Sequence, residues 1–430
     1  MWMIRILLGL LPLLATAADY EAGPEDYRPV LSRLKAGDRL LLAPGDYTRG
    51  LPLHNLEGDA RQPIIVEGPA AGPPARFLAR PGANTVSLVN VRHLVIRNLE
   101  LDGRGLAVDA VKAEGHSRYA HFVTLENLHI HGHDATQQNV GISTKCPAHG
   151  WVVRANRIER VGTGMYFGNS DGSAPFVAGL IEGNTVRDTL GYSLQIKHQR
   201  PRPAGMPGEG QRHETVIRRN RFDKSSGGNT GALARPNVLV GHWPLTGDGV
   251  EDRYVIYGNL FWQNPTEALF QGEGNIGLYN NLFVNQHGSA VRIQPHNDVP
   301  RRIDVFHNTV LARDDGIALR RREGQTDGPQ RVFNNVVLAA RPLLGADPRA
   351  NHIGSLDEAA RWLARPGDDP ARMDLAPRVG LACDAAMLAG VFDEYVEARL
   401  DYNAQPRMGC EFGACTRGPC PSPDRRQRVR

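Results

Sequence analysis

The chain has 430 residues, 47 of them glycine, and a formal charge of only +4. So small a charge gives no whole-chain affinity for nucleic acid, and so much glycine argues against a helical bundle. The length exceeds one ordinary globular core, unless the chain is a solenoid that grows coil by coil.

The chain opens as a leader. Arg5 precedes an apolar run, Leu7 to Leu14, and the small residues Ala15, Thr16 and Ala17. That is the pattern of an export signal, too short to span a bilayer. Residues 1–17 therefore read as a signal peptide, and the mature protein is expected in the periplasm or outside the cell. Residues 26–100 mix turn signals with short β runs. They are expected to cap the first coil, where an open solenoid end would expose unpaired strand groups.

One pattern then recurs: a β-rich run, an asparagine and another apolar residue. It falls at Asn98, Asn127, Asn156, Asn184, Asn220, Asn259, Asn281, Asn308 and Asn335. Most steps are 22 to 29 residues, with two of 36 and 39. Each step suits one coil of three short strands. Asparagine tolerates a left-handed bend, and its amide can bond the same residue on the next coil. The expected fold is all-β, a right-handed parallel β-helix over residues 18–340 with an asparagine ladder that stops beyond Leu338.

A second strand follows each asparagine by about ten residues, as in GISTKC, GMYFGN, SLQIKH, ALFQGE, AVRIQP and ALRRRE. Side chains alternate along a strand. Ser143, Lys145, Tyr166, Gln195, Lys197, Phe270, Arg292, Gln294, Arg320 and Arg322 are thereby expected on an outward face. In the long coil GALARPNVLVGHWP, either Arg235 or His242 joins them. Insertions at 199–215 and 225–253 are expected to border that face.

Three further features lie outside the repeat. LHIHGHD places His129, His131 and His133 at alternate positions, so all three would project from one side. Imidazole favours transition metals, although a polar strand edge needs none and no metal is assigned. Residues 356–365 have helical spacing within a closing region, 341–420, followed by a disordered tail, 421–430. Cys383, Cys410, Cys415 and Cys420 suit disulfides in an oxidising compartment, or else a metal, with Cys146 left unpaired.

AGDRLLLAPGDYTRGLPL…QPIIVEG resembles the opening of pectate-lyase-like β-helix proteins, above all those of the chondroitinase-B and alginate-lyase type. DYNAQPRMGCEFGAC resembles their closing motif. The resemblance implies the fold over most of residues 30–415. It also implies a catalytic lysine and arginine on neighbouring coils, with acidic and amide side chains holding Ca2+ against the substrate carboxylate. Lys197 and Arg235 fall at plausible positions, but Gln195 stands where an acidic ligand would be expected.

The basic stripe suits an anionic polysaccharide, bound by a monomer without nucleic acid or membrane insertion. A uronate lyase must neutralise the substrate carboxylate, remove the C5 proton and protonate the leaving oxygen. Arg235 or Arg292 suits the first, Lys197 or His198 the second, and Tyr166 or His242 the third. Lys145, Gln195, His242, Arg292, Gln294, His296 and Arg320 are expected to bind substrate. A glycoside hydrolase needs two facing carboxyls. Asp171, Glu273, Asp298 and Glu323 form no adjacent-coil pair, and Asp109 and Glu114 are expected too near the N-terminal end. An epimerase or a non-catalytic glycan-binding scaffold remains open.

Overall fold

A computed structural model of the protein describes residues 17–324, 328–367, 369–378, 388 and 390–422. The expected leader and tail fall almost wholly outside these residues, as does Cys383.

Three parallel ladders run the length of the molecule. One starts where Asp19–Ala22 pairs with Arg39–Leu42 and ends at Gln330–Phe333. The other two form one 21-stranded sheet, because Thr309–Leu319 and Val336–Leu344 each run through both. The chain is thus an all-β parallel β-helix. Inward apolar residues stack from coil to coil, as Phe222, Phe261 and Phe283 do, the last two 4.4 Å apart. At the N-terminal end the helix Arg28–Leu31 and the packed rings of Tyr27, Tyr47 and Phe77 close the first coil.

The asparagine ladder forms, with two corrections. From Asn156 to Asn335 each amide Nδ2 donates to the next asparagine's Oδ1, at 2.9 to 3.1 Å. Asn335 continues the series to Asn351 at 2.8 Å, so the ladder runs past Leu338. Asn98 and Asn127 bond each other but sit one position earlier, at φ of 57° and 50°. In the ladder position itself the second of these coils carries Leu128, whose N–H donates to Asn156 Oδ1. The left-handed position is held elsewhere by Ala155, Gly183, Arg219, Gly258, Asn280, His307 and Asn334. Asparagine suits both places, and the motif alone could not separate them. Replacing the exposed Asn127 with alanine is therefore expected to cost under about 1 kcal/mol in an unfolding titration.

The C-terminal region packs on the outside of the coils. The helix Val391–Glu394 and the turn Val396–Arg399 lie against the stacked rings of Tyr257, Tyr279, Phe306 and Phe333. Arg253 and Arg302 reach Glu394 at 2.5 and 2.7 Å. The helix expected over 356–365 is shorter: a capped turn, Leu356–Glu358, leads into Ala359–Trp362, and Leu363–Arg365 leaves as a strand. Cys415 and Cys420 form a disulfide, Cys410 is also disulfide-bonded, and buried Cys146 is free. Among the described residues no helix is long and apolar enough to cross a membrane.

Candidate functional site

Strand register decides which side chains share the outward face. In adjacent coils Lys112 pairs with Ser143, Ser143 with Tyr166, Tyr166 with Gln195, Gln195 with Leu239, Leu239 with Gln271 and Gln271 with Arg292. Gln271 therefore points outward, and Phe270 points inward, fully buried, contrary to the alternation assigned from ALFQGE. Beyond the ends of these strands lies a second row, with Lys145, Gly168, Lys197 and Gly241 on successive coils, linked by backbone bonds to the coil before. Gly168, at φ 94°, leaves a gap between the two lysines; a Cβ there would come within 3.3 Å of Lys197 Cβ.

A cavity of about 650 Å3 opens over these rows. Lys145, Tyr166, Gln195, Lys197 and Arg235 line it, together with Asn84, Asp109, Lys112, Gln137, Asn139 and Tyr192. Lys145 Nζ lies 3.5 Å from the centre of the Tyr166 ring and donates to the Gly168 carbonyl at 3.2 Å. Burial, aided by the charges of Lys112 and Lys197 and opposed by Asp109, lowers its pKa to about 8. Burial likewise lowers that of Lys197; Glu273 opposes the shift and Arg235 adds to it. Burial raises the pKa of the Tyr166 phenol, which lies 3.2 Å from Ser170 Oγ. The cavity thus holds four cations, a protonated phenol and lysines tuned toward neutrality, a set suited to an anionic ligand and to proton transfer.

Arg235 comes from the 225–237 insertion rather than from a strand. Its guanidinium sits 5.7 Å from the Tyr192 ring, and its carbonyl accepts bonds from Lys224 Nζ at 3.0 Å and Asn264 Nδ2 at 3.0 Å. Lys224 is fully buried, also donates to Gly191 O at 2.7 Å, and has its pKa lowered by burial to about 8. It anchors the loop that presents Arg235. The 199–215 insertion does not border the cavity. Its Arg202 turns into a buried ion pair with Asp252 at 2.9 Å, and His213 packs on His149 of another ladder.

Six expected residues lie outside the cavity. His198 stacks on His242 at 5.3 Å, and buried His242 bonds the Trp243 carbonyl. Arg292 is taken by Glu267 at 2.5 Å. Gln294 and His296 line a separate small recess beside Glu273, whose carboxylate accepts the backbone N–H groups of His296, Asn297 and Asp298. Arg320 is exposed, several coils away.

Asp109 and Lys112 were missed. Asp109 is not too near the end, because two coils with a strand in each ladder, over residues 39–54 and 64–89, already precede it, and it lies in the cavity wall. Its carboxylate accepts the Val140 N–H at 2.9 Å and pairs with Lys112 at 3.1 Å. The signal was available: VDAVKAEG precedes GISTKC by one coil in the same register.

The donors do not fit Ca2+, which takes six to eight oxygens with several carboxylates. Among the described residues lining the cavity Asp109 is the one carboxylate, already neutralised by Lys112 and surrounded by further cations.

No family model matches the chain, and no curated protein does. Solved structures are similar at low identity. A polysaccharide lyase of the PL6 family from Pseudopedobacter saltans matches at 10% identity and TM-score 0.49, over 85% of this chain and 97% of that one. The pectate lyase Pel9A matches at 15% and 0.43, over 77% and 79%. An alginate lyase of the PL6 family matches at 12% and 0.41 over 78% of this chain, which spans about half of that protein. A lacto-N-biosidase from Eubacterium ramulus, a GH136 protein, matches at 13% and 0.37, over 66% and 67%. Likenesses this distant do not choose between lyase and hydrolase.

Proposed function

We propose that the protein is an exported polysaccharide lyase that cleaves an anionic, uronate-containing polymer by β-elimination. The observation that carries this reading is the cavity itself: Lys112, Lys145, Lys197 and Arg235 gathered around Tyr166. Arg235 neutralises the substrate carboxylate, which acidifies the C5 proton. Lys197, whose pKa burial lowers, removes that proton through its unprotonated amine, and Tyr166 protonates the leaving glycosidic oxygen. Lys145 holds the Tyr166 ring from its face. Gln195 and Asn139 are placed to bond sugar hydroxyls.

The lone carboxylate in the cavity counts against glycoside hydrolysis, which needs two flanking the bond. Incubation with a panel of uronate polymers, followed by product analysis, separates the readings. A lyase leaves unsaturated uronate ends, a hydrolase saturated reducing ends, an epimerase an altered but uncut polymer.

Two expectations follow from the site. Activity survives thorough chelation with EDTA, because cations of the chain do the work of a metal; loss of activity restored by Ca2+ would contradict this. Lys224→Met loosens the loop beneath Arg235 and lowers the rate on the order of 10²-fold, as a displacement near 1 Å does. Steady-state kinetics on a folded variant checks it.

A further inference from the structure

The repeat places four outward side chains in a square on two adjacent coils, on the paired strands Leu99–Asp102 and His129–His133. Glu100 pairs in register with His129, and Asp102 with His131. None of them lines the cationic cavity. We propose that Glu100, His129 and His131 bind a divalent transition metal ion of the Zn2+ class on the outside of the helix.

The geometry supplies the argument. One ligand atom from each of the three residues lies within 4.8 Å of the other two. Tetrahedral Zn2+ with bonds near 2.0–2.2 Å brings its ligands to about 3.3 Å apart. Side-chain rotation of about an ångström closes that difference without moving the strands. Imidazole and carboxylate are the donors that this ion prefers. His131 Nε2 lies 3.1 Å from Glu100 Oε1 and would face the ion, Asp102 Oδ1 backs the ring from 3.8 Å on the Nδ1 side, and a water would complete the shell.

An outer carboxylate is also present. Glu159, on the next coil, lies 2.9 Å from His129 Nε2 and fixes the ring, as carboxylates behind metal-bound histidines do. Burial opposes its ionisation, but hydrogen bonds from His129, Arg157 and Arg187 hold its pKa at about 2. The neighbouring cation Arg160, 3.3 Å from His131 Nδ1, is exposed and can swing away into solvent.

His133 takes no part. Gly132, at φ 70°, breaks the alternation of LHIHGHD and turns His133 into the interior, where its Nδ1 bonds the Val108 carbonyl at 2.9 Å. The three histidines therefore do not share one side, and the carboxylate of the preceding coil takes the third place.

The experiment uses the full chain without an affinity tag, stripped by a chelator. Zn2+ titration by calorimetry and Co2+ titration by visible absorption should each show one saturable equivalent, the cobalt spectrum carrying the bands of a low-coordinate nitrogen and oxygen site. His131→Ala and Glu100→Gln should each bind at least 10-fold more weakly, with unchanged circular dichroism. His54→Ala, an exposed histidine elsewhere, should bind as the parent does. Absence of saturable binding, or equal binding by His131→Ala, would overturn the site.

Discussion

Replacing Lys197 with alanine is expected to lower the rate of β-elimination by on the order of 10²–10⁴-fold, the range for removal of a positioned general base. The fold should survive, because Lys197 faces the cavity from just beyond its strand. The pH profile gives an independent check. Only the neutral amine accepts a proton, so the rate rises with pH through the pKa of Lys197. Burial lowers that pKa from its ordinary value of 10.5, and Arg235 lowers it further. The ascending limb should therefore have its midpoint below 10.5 and move upward in Arg235→Gln. Full activity in Lys197→Ala would remove the residue from the chemistry, and a limb indifferent to Arg235 would remove the electrostatic argument.

The second large effect concerns stability. Asn259 stands in mid-ladder. Its Nδ2 serves Ile217 O, Tyr257 O and Asn281 Oδ1, and its Oδ1 accepts from the backbone and side chain of Asn220. Asn259→Ala removes all five bonds and leaves several buried partners unsatisfied, each costing about 1–3 kcal/mol. A loss of at least about 3 kcal/mol is expected, read as a large drop in unfolding midpoint. Asn127→Ala, on the exposed left-handed position, serves as the matched control. Equal small losses in the two variants would show that the ladder carries little of the stability.

The same pair of asparagines shows how far the fold was legible. Asparagine marked each coil from Asn98 to Asn335; whether that residue sits on the left-handed bend, as at Asn98 and Asn127, or one place beyond depends on backbone angles that the letters do not carry. The alternation of the face strands was readable at Lys145, Tyr166, Gln195 and Lys197, where a small residue and an apolar anchor set the phase. It failed at Phe270, one residue out of phase, and at His133, where Gly132 breaks the alternation.

The lining of the cavity was legible in its centre and blurred at its edges. Arg235 was a choice between two residues because its loop follows no period. Arg292 looked as free as Lys197 in sequence, yet Glu267, 25 residues earlier, occupies it. Pairing across coils decides which charges remain available, and it depends on coil lengths that vary. Asp109 and Lys112 were lost for a simpler reason: the face was traced from the coil after theirs.

The most direct measurement is the ultraviolet absorbance of the products formed from uronate polymers by the purified chain. The expected result is growth of the unsaturated-uronate band with the native chain and none with Lys197→Ala. Folded protein that leaves every such polymer uncut, or that releases only saturated ends, would contradict it.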